Sequence, residues 1–565
     1  MIMKKILASI FLAVLSLEAF SAPVERVYVS TDRSVYLAGE QILCSLFCLD
    51  ASGSPAPSDL SSVAYLELAA EGVSNVTAKI SLLNGRGSGY ILLPPTLPTG
   101  NYRLYAYTTQ NRNESGSGYL SFSKVISVFN TSSTARVGGG VKIIDAEGYN
   151  ANEAPKATES GNTSIVVSRS ARPSSIIPVT LDNKGGENAS ISVSVYYEDD
   201  IHEPQSPSIK DFIKALPSPG SVSVTGTLVP EYDGEILYAN LVGEDWKSVA
   251  SDAGLTAFIS SSGEIADTYA SSVTPEGTMV FYTNNIFGDR EIICELCSAD
   301  TGRNAHISMQ SPFIKVRPDT VEPLCLSPSL QESLRFRNLA LRQNLSVGLD
   351  TLVEFLPARV SQLISKEDCI VYHLDDYVRF HSMDEVCVEI VSQLRITGKK
   401  DNRHFSVLYN DPAGKQYNYL SNVLTLLDGV PMSDQSKLIT FDPMLISDIE
   451  LYLHPYLLGH RVFGSVVNFV TIRNNITSVR FSEQTRVFDF KGVSYPVALT
   501  AKEVPVPEKD YRQTLYWHPV VSLEAGKEKR LEIRTPSYPG VFKIVVEGID
   551  SSGAPLYSES SFEVR

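Results

Sequence analysis

Cysteine is scarce: seven residues in a chain of 565 are too few for a disulfide scaffold, so the domains must be held by their cores. Histidine is equally thin, eight residues with none at the helical spacing that pairs two zinc ligands with a general base. Basic residues (48) are outnumbered by acidic ones (64), for a net charge of −16, which excludes a nucleic-acid partner. Phosphate loops and dinucleotide fingerprints are absent. So is a serine nucleophile elbow: Gly85-Arg86-Gly87-Ser88-Gly89 misses the required turn by one position and leads into a strand, so it reads as a hairpin turn. Beyond the first twenty or so residues no run is apolar for the roughly 20 residues that a membrane-spanning helix needs.

The leader is the exception among apolar runs. Lys4 and Lys5 precede Ile6 to Leu17, and small residues follow at Ala19, Ser21 and Ala22, the layout of a secretory signal peptide. Cleavage after Ser21 fits best, and removing the leader's two lysines and one glutamate brings the charge to −17. No cysteine stands at the cleavage site for lipid attachment. The chain is therefore expected to be exported, to the periplasm or to the outer membrane and cell surface, and not to span a membrane. Its hydrophobic content of 43% supports about four or five ordinary domains.

What the rest of the chain holds is alternation at period two. Leu104 and Ala106 alternate with Arg103, Tyr105 and Tyr107, and Ile191, Val193 and Val195 with Ser192 and Ser194. One wet face per strand, with no intervening helices, predicts antiparallel sandwiches. Composition breaks at Thr131–Thr163, at Pro204, Pro207, Pro217 and Pro219, and at Pro318, Pro323 and Pro328 mark boundaries. Two helices are expected. One spans about Ser329 to Leu345, with Leu334, Leu341 and Leu345 on one face. In the other, Ser382 and Glu385 form a capping box ahead of an apolar side made by Met383, Val386, Cys387, Ile390, Val391 and Leu394.

Two segments resemble known families. Val27-Tyr-Val-Ser-Thr-Asp-Arg-Ser-Val-Tyr-Leu-Ala-Gly-Glu40, with Leu97-Pro98-Thr99-Gly100-Asn101-Tyr102-Arg103-Leu104-Tyr105-Ala106-Tyr107 downstream, resembles the second macroglobulin domain of the α2-macroglobulin superfamily, a β-sandwich. The family often has Pro where Ala38 stands. Ala38-Gly39-Glu40-Gln41 resembles the thioester motif of macroglobulin protease traps, but Ala38 lacks the thiol, no other Cys precedes Gly-Glu-Gln, and no long bait region is evident. A trap mechanism is therefore the least favoured reading.

The second set is Leu374-Asp375-Asp376-Tyr377, Leu424-Thr425-Leu426-Leu427-Asp428-Gly429-Val430-Pro431, Ile446-Ser447-Asp448-Ile449-Glu450 and Gly464-Ser465-Val466-Val467-Asn468-Phe469-Val470-Thr471. In this order they resemble the plug domain of TonB-dependent outer-membrane receptors. A receptor barrel of about 22 strands at about 9 to 11 residues each needs roughly 200 residues or more, and 92 follow Arg473, so no barrel is expected here. The combination resembles secreted proteins of Bacteroidetes bacteria that join macroglobulin-like domains to an orphan plug-like domain.

The resulting fold expectation is mainly β: tandem immunoglobulin-like or macroglobulin-like β-sandwiches with one α+β plug-like domain. The boundaries are 1–21 signal peptide, 22–130 macroglobulin-like sandwich, 131–228 second sandwich, 229–320 third sandwich, 321–365 linker with helix, 366–478 plug-like domain and 479–565 C-terminal sandwich.

No catalytic, cofactor-binding or metal-binding residue is assigned. Cys294-Glu295-Leu296-Cys297 has the spacing of a metal knuckle but lies in a strand-like run, where residues three apart point to opposite faces, and no second pair completes a site. Cys44 and Cys48 lie about 13 Å apart on a strand, too far for a direct disulfide. His373 and His381 flank Asp375 and Asp376, read as a surface turn. Glu198, Asp199 and Asp200 are read as a solvated loop, without the alternating pattern of a calcium loop. The functional expectation is a noncatalytic binding or scaffold protein of the cell envelope with protein partners, accessory to outer-membrane uptake or surface assembly. The alternative is a secreted enzyme acting on glycans or peptides, whose carboxylate pair could come from distant positions. Oligomeric state and ligand are left open.

Overall fold

The computed structural model describes residues 24–138, 141–145, 158–160, 163–218, 220–252, 254–261, 267–297, 302–358, 365–399, 403–410, 417–420, 422–473, 476, 481 and 484–565. The signal-peptide reading of 1–21 lies outside them. The chain divides into two compact units, one of Met1–Tyr232, Phe313–Ala358 and Val493–Arg565, the other of Asp233–Pro312 and Arg359–Gly492. Both are mainly β, as the alternation predicts.

The first unit opens with a sheet rolled on itself. Glu25–Thr31, Gln41–Asp50 and Arg86–Leu92 run antiparallel, then Val76–Leu83, Val63–Ala69, Gly100–Tyr107, Lys124–Phe129 and Val35–Leu37 continue the order. Its core is lined by Val27, Val29, Ile42, Cys44, Leu46, Cys48, Leu66, Leu68, Leu104 and Ile126. Of the Gly85–Gly89 run, read as a hairpin turn, only Gly85 lies in the turn, and Arg86–Gly89 already belong to the strand Arg86–Leu92. Asn84 and Gly85 take φ of 51° and 70° between Leu83 and Arg86, which face each other, the primed two-residue turn that suits strand twist. A side chain at Gly85 would also meet the Cys48 carbonyl at 2.6 Å.

A second sandwich in this unit is a composite. The strand Ala189–Glu198 pairs with Thr514–Leu523 on one side and Gly540–Asp550 on the other, and Pro555–Val564 pairs beyond it. The facing sheet is Thr163–Val167, Ile176–Asn183 and Glu528–Arg534. Residues within 131–228 and 479–565, expected to make two separate sandwiches, thus share both sheets around one core containing Val179, Ile191, Val193, Ile533, Ile544 and Phe562. Hydrophobic pattern identifies strands, but pairing partners more than 300 residues apart leave no local signal.

The wet outer face expected of these strands is largely absent. Glu25–Thr31 and Val63–Ala69 are buried along their whole length. Ser192 and Ser194 are buried too: Ser192 Oγ donates to Ser30 Oγ at 3.1 Å, and Ser194 Oγ donates to the Asp32 carbonyl. The polar half of the alternation lies against the N-terminal sandwich instead of water. Tyr107 likewise stacks on Tyr65 beneath the Phe313–Val316 segment, whose Ile314 amide donates to the Tyr107 hydroxyl at 3.0 Å.

The expected linker helix forms as Gln331–Ser346. Its buried positions are Arg337, Ala340 and Asn344, with Leu334 and Leu341 half-buried against Val35, Leu37, Phe129 and Ile201. Leu345 is 54% exposed, so the leucine face assigned from sequence is rotated toward a partly polar one.

The second unit contains a sandwich and an α+β part. One sheet of the sandwich is Thr278–Tyr282, Ile236–Val242 and His306–Met309; the other is Asp267–Ser272, Thr256–Ser261, Arg290–Cys297 and Arg486–Phe490. The α+β part is built on a mixed sheet in the order Ile370–His373, Ile446–Tyr452, Ser465–Thr471, Val423–Leu427, Val430–Pro431, and Val423–Leu427 runs parallel to Ser465–Thr471. Every strand of this sheet comes from 370–471. The capped helix is shorter than expected. After Met383–Glu385 the backbone widens to a π-turn over Val386–Ile390, where the Val391 amide reaches the Val386 carbonyl at 3.0 Å. Three β-branched residues, Val386, Val388 and Ile390, crowd this turn, and Arg395 Nη1 donates to the carbonyls of Cys387 (2.5 Å) and Leu394 (2.8 Å), closing the end. The expected apolar residues are buried all the same.

Candidate functional site

The densest group of ionisable side chains lies in the first unit, in a cavity of about 120 Å³ lined by three carboxylates (Glu203, Glu547, Glu559) and three cations (Arg33, Lys124, Lys543). Period two assembles it. Lys543, Val545 and Glu547 project from one face of Gly540–Asp550, Tyr557 and Glu559 from the same face of Pro555–Val564, and Tyr196 lies opposite Lys543. Tyr28 and Lys124 come from the N-terminal sandwich, and the proline-bounded loop after Ile201 supplies Glu203.

Lys543 Nζ contacts Glu203 Oε2 at 3.3 Å and Glu559 Oε1 at 3.2 Å. Burial pulls the ammonium down, but these two carboxylates outweigh it and hold its pKa above the usual lysine value. Tyr28 donates to Glu547 Oε2 at 2.6 Å, and Tyr557 donates to Glu559. Burial first, then the adjacent carboxylates, raises both phenols, so they stay protonated donors. Tyr28 and Tyr557 are thus engaged as donors to carboxylates, and Lys543 is shared between two of them. The cluster joins two sandwiches.

Three more buried carboxylates in this unit are also fully engaged. Glu25 accepts from Ser58, Ser61 and Thr108 hydroxyls, each at 2.6 Å. Glu67 accepts from Tyr107 (2.6 Å), Asn75 (2.7 Å) and the amides of Lys315 (3.1 Å) and Val316 (3.0 Å). Glu231 accepts from Tyr65 and Thr109, both at 2.8 Å. Each satisfied carboxylate ties together segments distant in sequence, which satisfies the polar demand of burial.

No family model matches the sequence, and no curated protein matches it. Among solved structures, the chain is similar to Salmonella α2-macroglobulin reacted with methylamine (8% identity, TM-score 0.24, 97% of this chain and 40% of that one). It is also similar to Escherichia coli α2-macroglobulin activated by porcine elastase (9% identity, TM-score 0.23, 96% and 44%). A tetra-tandem repeat from the extending region of a large adhesion protein gives 8% identity and a TM-score of 0.13. The chain spans about 40% of the length of the Salmonella protein. Scores of this size carry no functional argument, and the assignment to tandem β-sandwiches rests on the sheets described above.

The residues weighed from sequence fall in separate places. Cys294 is buried in the core of the Asp233–Pro312 sandwich, while Cys297 packs with Phe258, Leu424 and Phe463, so the pair is split across a strand. Cys44 and Cys48 share the N-terminal core as free thiols. The Ala38-Gly39-Glu40-Gln41 segment is a turn: the Ala38 amide donates to the Phe129 carbonyl at 2.9 Å, and Glu40 Oε2 accepts from the Leu37 amide at 2.6 Å. His373 is mostly exposed, with Nδ1 2.5 Å from Asp448 Oδ1. Among the described residues no group of three or more His, Cys, Asp or Glu is placed to hold a metal.

The solvated-loop reading of Glu198–Asp200 requires correction. Only Asp200 is exposed; the Asp199 side chain is 4% exposed in an ion pair with Arg337, and Glu198 Oε2 is buried without a hydrogen-bond partner. Lys543 and Glu203 belong to no sequence motif. Charged residues at alternate positions of a strand, as in Lys543 and Glu547, are the signal that marks such a face.

Proposed function

We propose that this chain is an exported, noncatalytic binding or scaffold protein of the bacterial cell envelope, whose macroglobulin-like sandwiches and plug-like unit over 366–478 serve protein partners in or near the outer membrane. The carrying observation is that the buried carboxylates of the first unit serve as joints between segments. An enzyme acting on glycans or peptides needs at least one acid or base left facing a cleft, whereas a scaffold spends its ionic groups on rigidity. The order of strand, Asp428-Gly429 turn, Asp-Ile-Glu strand and final strand supports the plug-like reading. The self-contained sheet from 370 to 471 is consistent with it.

Crosslinking in intact cells, followed by purification of the full chain, tests the proposal. An outer-membrane or surface protein is expected in the crosslinked product. Recovery of the chain only as a free monomer, or hydrolysis of glycans or peptides by the purified protein, would overturn it. Surface proteolysis with fractionation reports which side of the outer membrane it faces.

A further inference from the structure

A cavity of about 360 Å³ in the first unit has three times the volume of the charged joint, about 120 Å³, and differs from it in kind. Two pieces of chain enclose it, 114–122 beyond the Gly100–Tyr107 strand and 212–223 running on from the short helix Ile209–Lys214. Both are fastened. The helix, capped by Ser208, buries Ile209 and Phe212. At the other end the Ser115 amide donates to the Ser223 carbonyl at 2.8 Å, Glu114 pairs with Val224, and the Asn113 carbonyl accepts from the amides of Thr225 (2.8 Å) and Gly226 (2.9 Å). A cavity closed by the chain's own bonds is ordered before any ligand arrives, which removes one cost of binding.

The walls are apolar and reachable. Tyr119, Phe122, Leu216, Pro217 and Val222 line the cavity and are each half-buried, so part of their surface stays accessible. Phe212 completes the wall. Its ring centroid lies 4.8 Å from that of Phe122 at an interplanar angle of 72°, edge to face, and Tyr28 holds both rings from the core side at 5.4 and 5.5 Å. The rim is hydroxylic: Ser115, Ser121, Ser221 and Ser223 line it and are exposed, and a hydroxyl both donates and accepts. The two charged residues of the lining cancel. Arg26 holds Glu114 through Nη1 at 2.6 Å and Nη2 at 2.9 Å, with both side chains at most 10% exposed.

These features select the ligand. With its ion pair closed on itself the cavity offers no countercharge, so a charged ligand would lose hydration without replacement. A wholly apolar side chain would cover the rim hydroxyls and leave them unpaired. What suits both wall and rim is a neutral ring with C–H faces and a hydroxyl edge, as in a pyranose sugar: the aromatic and aliphatic side chains take the faces and the serines take the edge. Size agrees, since a cavity of roughly 150 Å³ holds benzene and this one has room for one or two six-membered rings. We infer that this cavity binds one or two neutral sugar units, carried by a glycan chain or free. Glu114 is committed to Arg26, and no other carboxylate and no histidine is among the described residues lining the cavity, so the sugar is held and not cleaved.

The test uses the full chain in ligand-observed NMR titrations. The neutral probes are methyl β-glucoside, methyl β-galactoside and methyl N-acetyl-β-glucosaminide, the charged ones glucuronate and glucosamine, and the apolar one N-acetylphenylalanine amide. At least one neutral glycoside should bind, with the charged and apolar probes at least about tenfold weaker. Tyr119→Ala removes part of the wall, and Ser121→Trp fills the mouth from an exposed position. Each should weaken glycoside binding about tenfold or more with the melting temperature unchanged, and the second stands if the first folds poorly. A trimer of the bound sugar that binds more tightly than the single unit identifies a glycan chain as the source; one that binds no better identifies a free sugar. The inference is overturned by no glycoside binding at tens of millimolar, by a charged probe binding as tightly as the best glycoside, or by glycoside binding unchanged in a folded variant. Tighter binding of the phenylalanine derivative overturns it too, in favour of a polypeptide side chain.

Discussion

Arg337 grips Asp199 with two nitrogens, Nε at 2.6 Å from Oδ2 and Nη2 at 3.2 Å from Oδ1, while Nη1 donates to the Val35 carbonyl at 3.2 Å. One guanidinium thereby joins the 331–346 helix, the end of the 189–198 strand and the N-terminal sandwich. Both side chains are at most 5% exposed. Truncation of one partner strands the other charge in the interior, so Arg337→Ala should lower unfolding free energy by about 3–5 kcal/mol, whereas the double change Arg337→Met with Asp199→Leu should cost far less. Urea denaturation of the full chain, followed by intrinsic fluorescence, checks this. A loss in the single variant no larger than in the double would show that the pair does not hold the joint.

Glu198, one residue before that aspartate, is pushed up to about 7 by burial, with Lys543 pulling the other way and Glu203, Glu559 and Asp199 adding to the rise. The folded value lies above the unfolded one, near 4.3, so between them the native state holds a proton that the unfolded state releases. This contribution makes stability fall as pH rises from about 4 to about 7 and level off above. Glu198→Gln removes the titration. Relative to the parent chain, it should be increasingly stabilised as pH rises through that window, measured by melting at pH 5 and pH 8. A difference independent of pH would contradict the assignment.

The reach of sequence reasoning here follows the range of the contacts. The Asn84-Gly85 turn, the Asp428-Gly429 turn and the apolar side of 383–394 are local, and the residues themselves carry them. Ser192 and Ser194 read as solvent-facing because a hydroxyl against a second sandwich has the same pattern as one against water. Asp199 read as solvated for the same reason: its cation lies 138 positions away. The sharing of sheets between 163–198 and 514–564, and the Lys543 cluster, depend on pairings of this range.

Thiol reactivity should divide the seven cysteines. Cys44, Cys48, Cys294 and Cys387 are buried, and Cys297, Cys325 and Cys369 are partly exposed. Burial raises the first four thiols, Cys294 and Cys387 to about 12, which removes the thiolate that alkylating reagents need. Iodoacetamide at pH 8 should modify at most three sites in the native protein and all seven in denaturant, as read by peptide mass spectrometry. Fast native modification of Cys44 or Cys48 would mean that the N-terminal core opens.

Asp428 anchors the turn that carries the plug-like resemblance. Its Oδ1 accepts from the Thr471 amide and its Oδ2 from the Thr471 hydroxyl, both at 2.7 Å, while Asn468 Oδ1 accepts from the Gly429 amide at 3.0 Å. The turn residues have φ of 48° and 81°, conformations an aspartate tolerates through local hydrogen bonding and a glycine adopts freely. Asp428→Ala removes both bonds to Thr471, a loss of about 2–3 kcal/mol. Asp428→Asn keeps one acceptor and suits the positive φ, so it should lose about half as much. Hydrogen exchange should show the change first at Ser465–Thr471 and in the parallel strand Val423–Leu427 paired with it. Strands paired to nothing in this sheet, such as Ile236–Val242, should keep their protection. If protection fell equally in both places, the 370–471 sheet would not be an independently stable element, and the idea of a plug-like unit standing on its own core would fail with it.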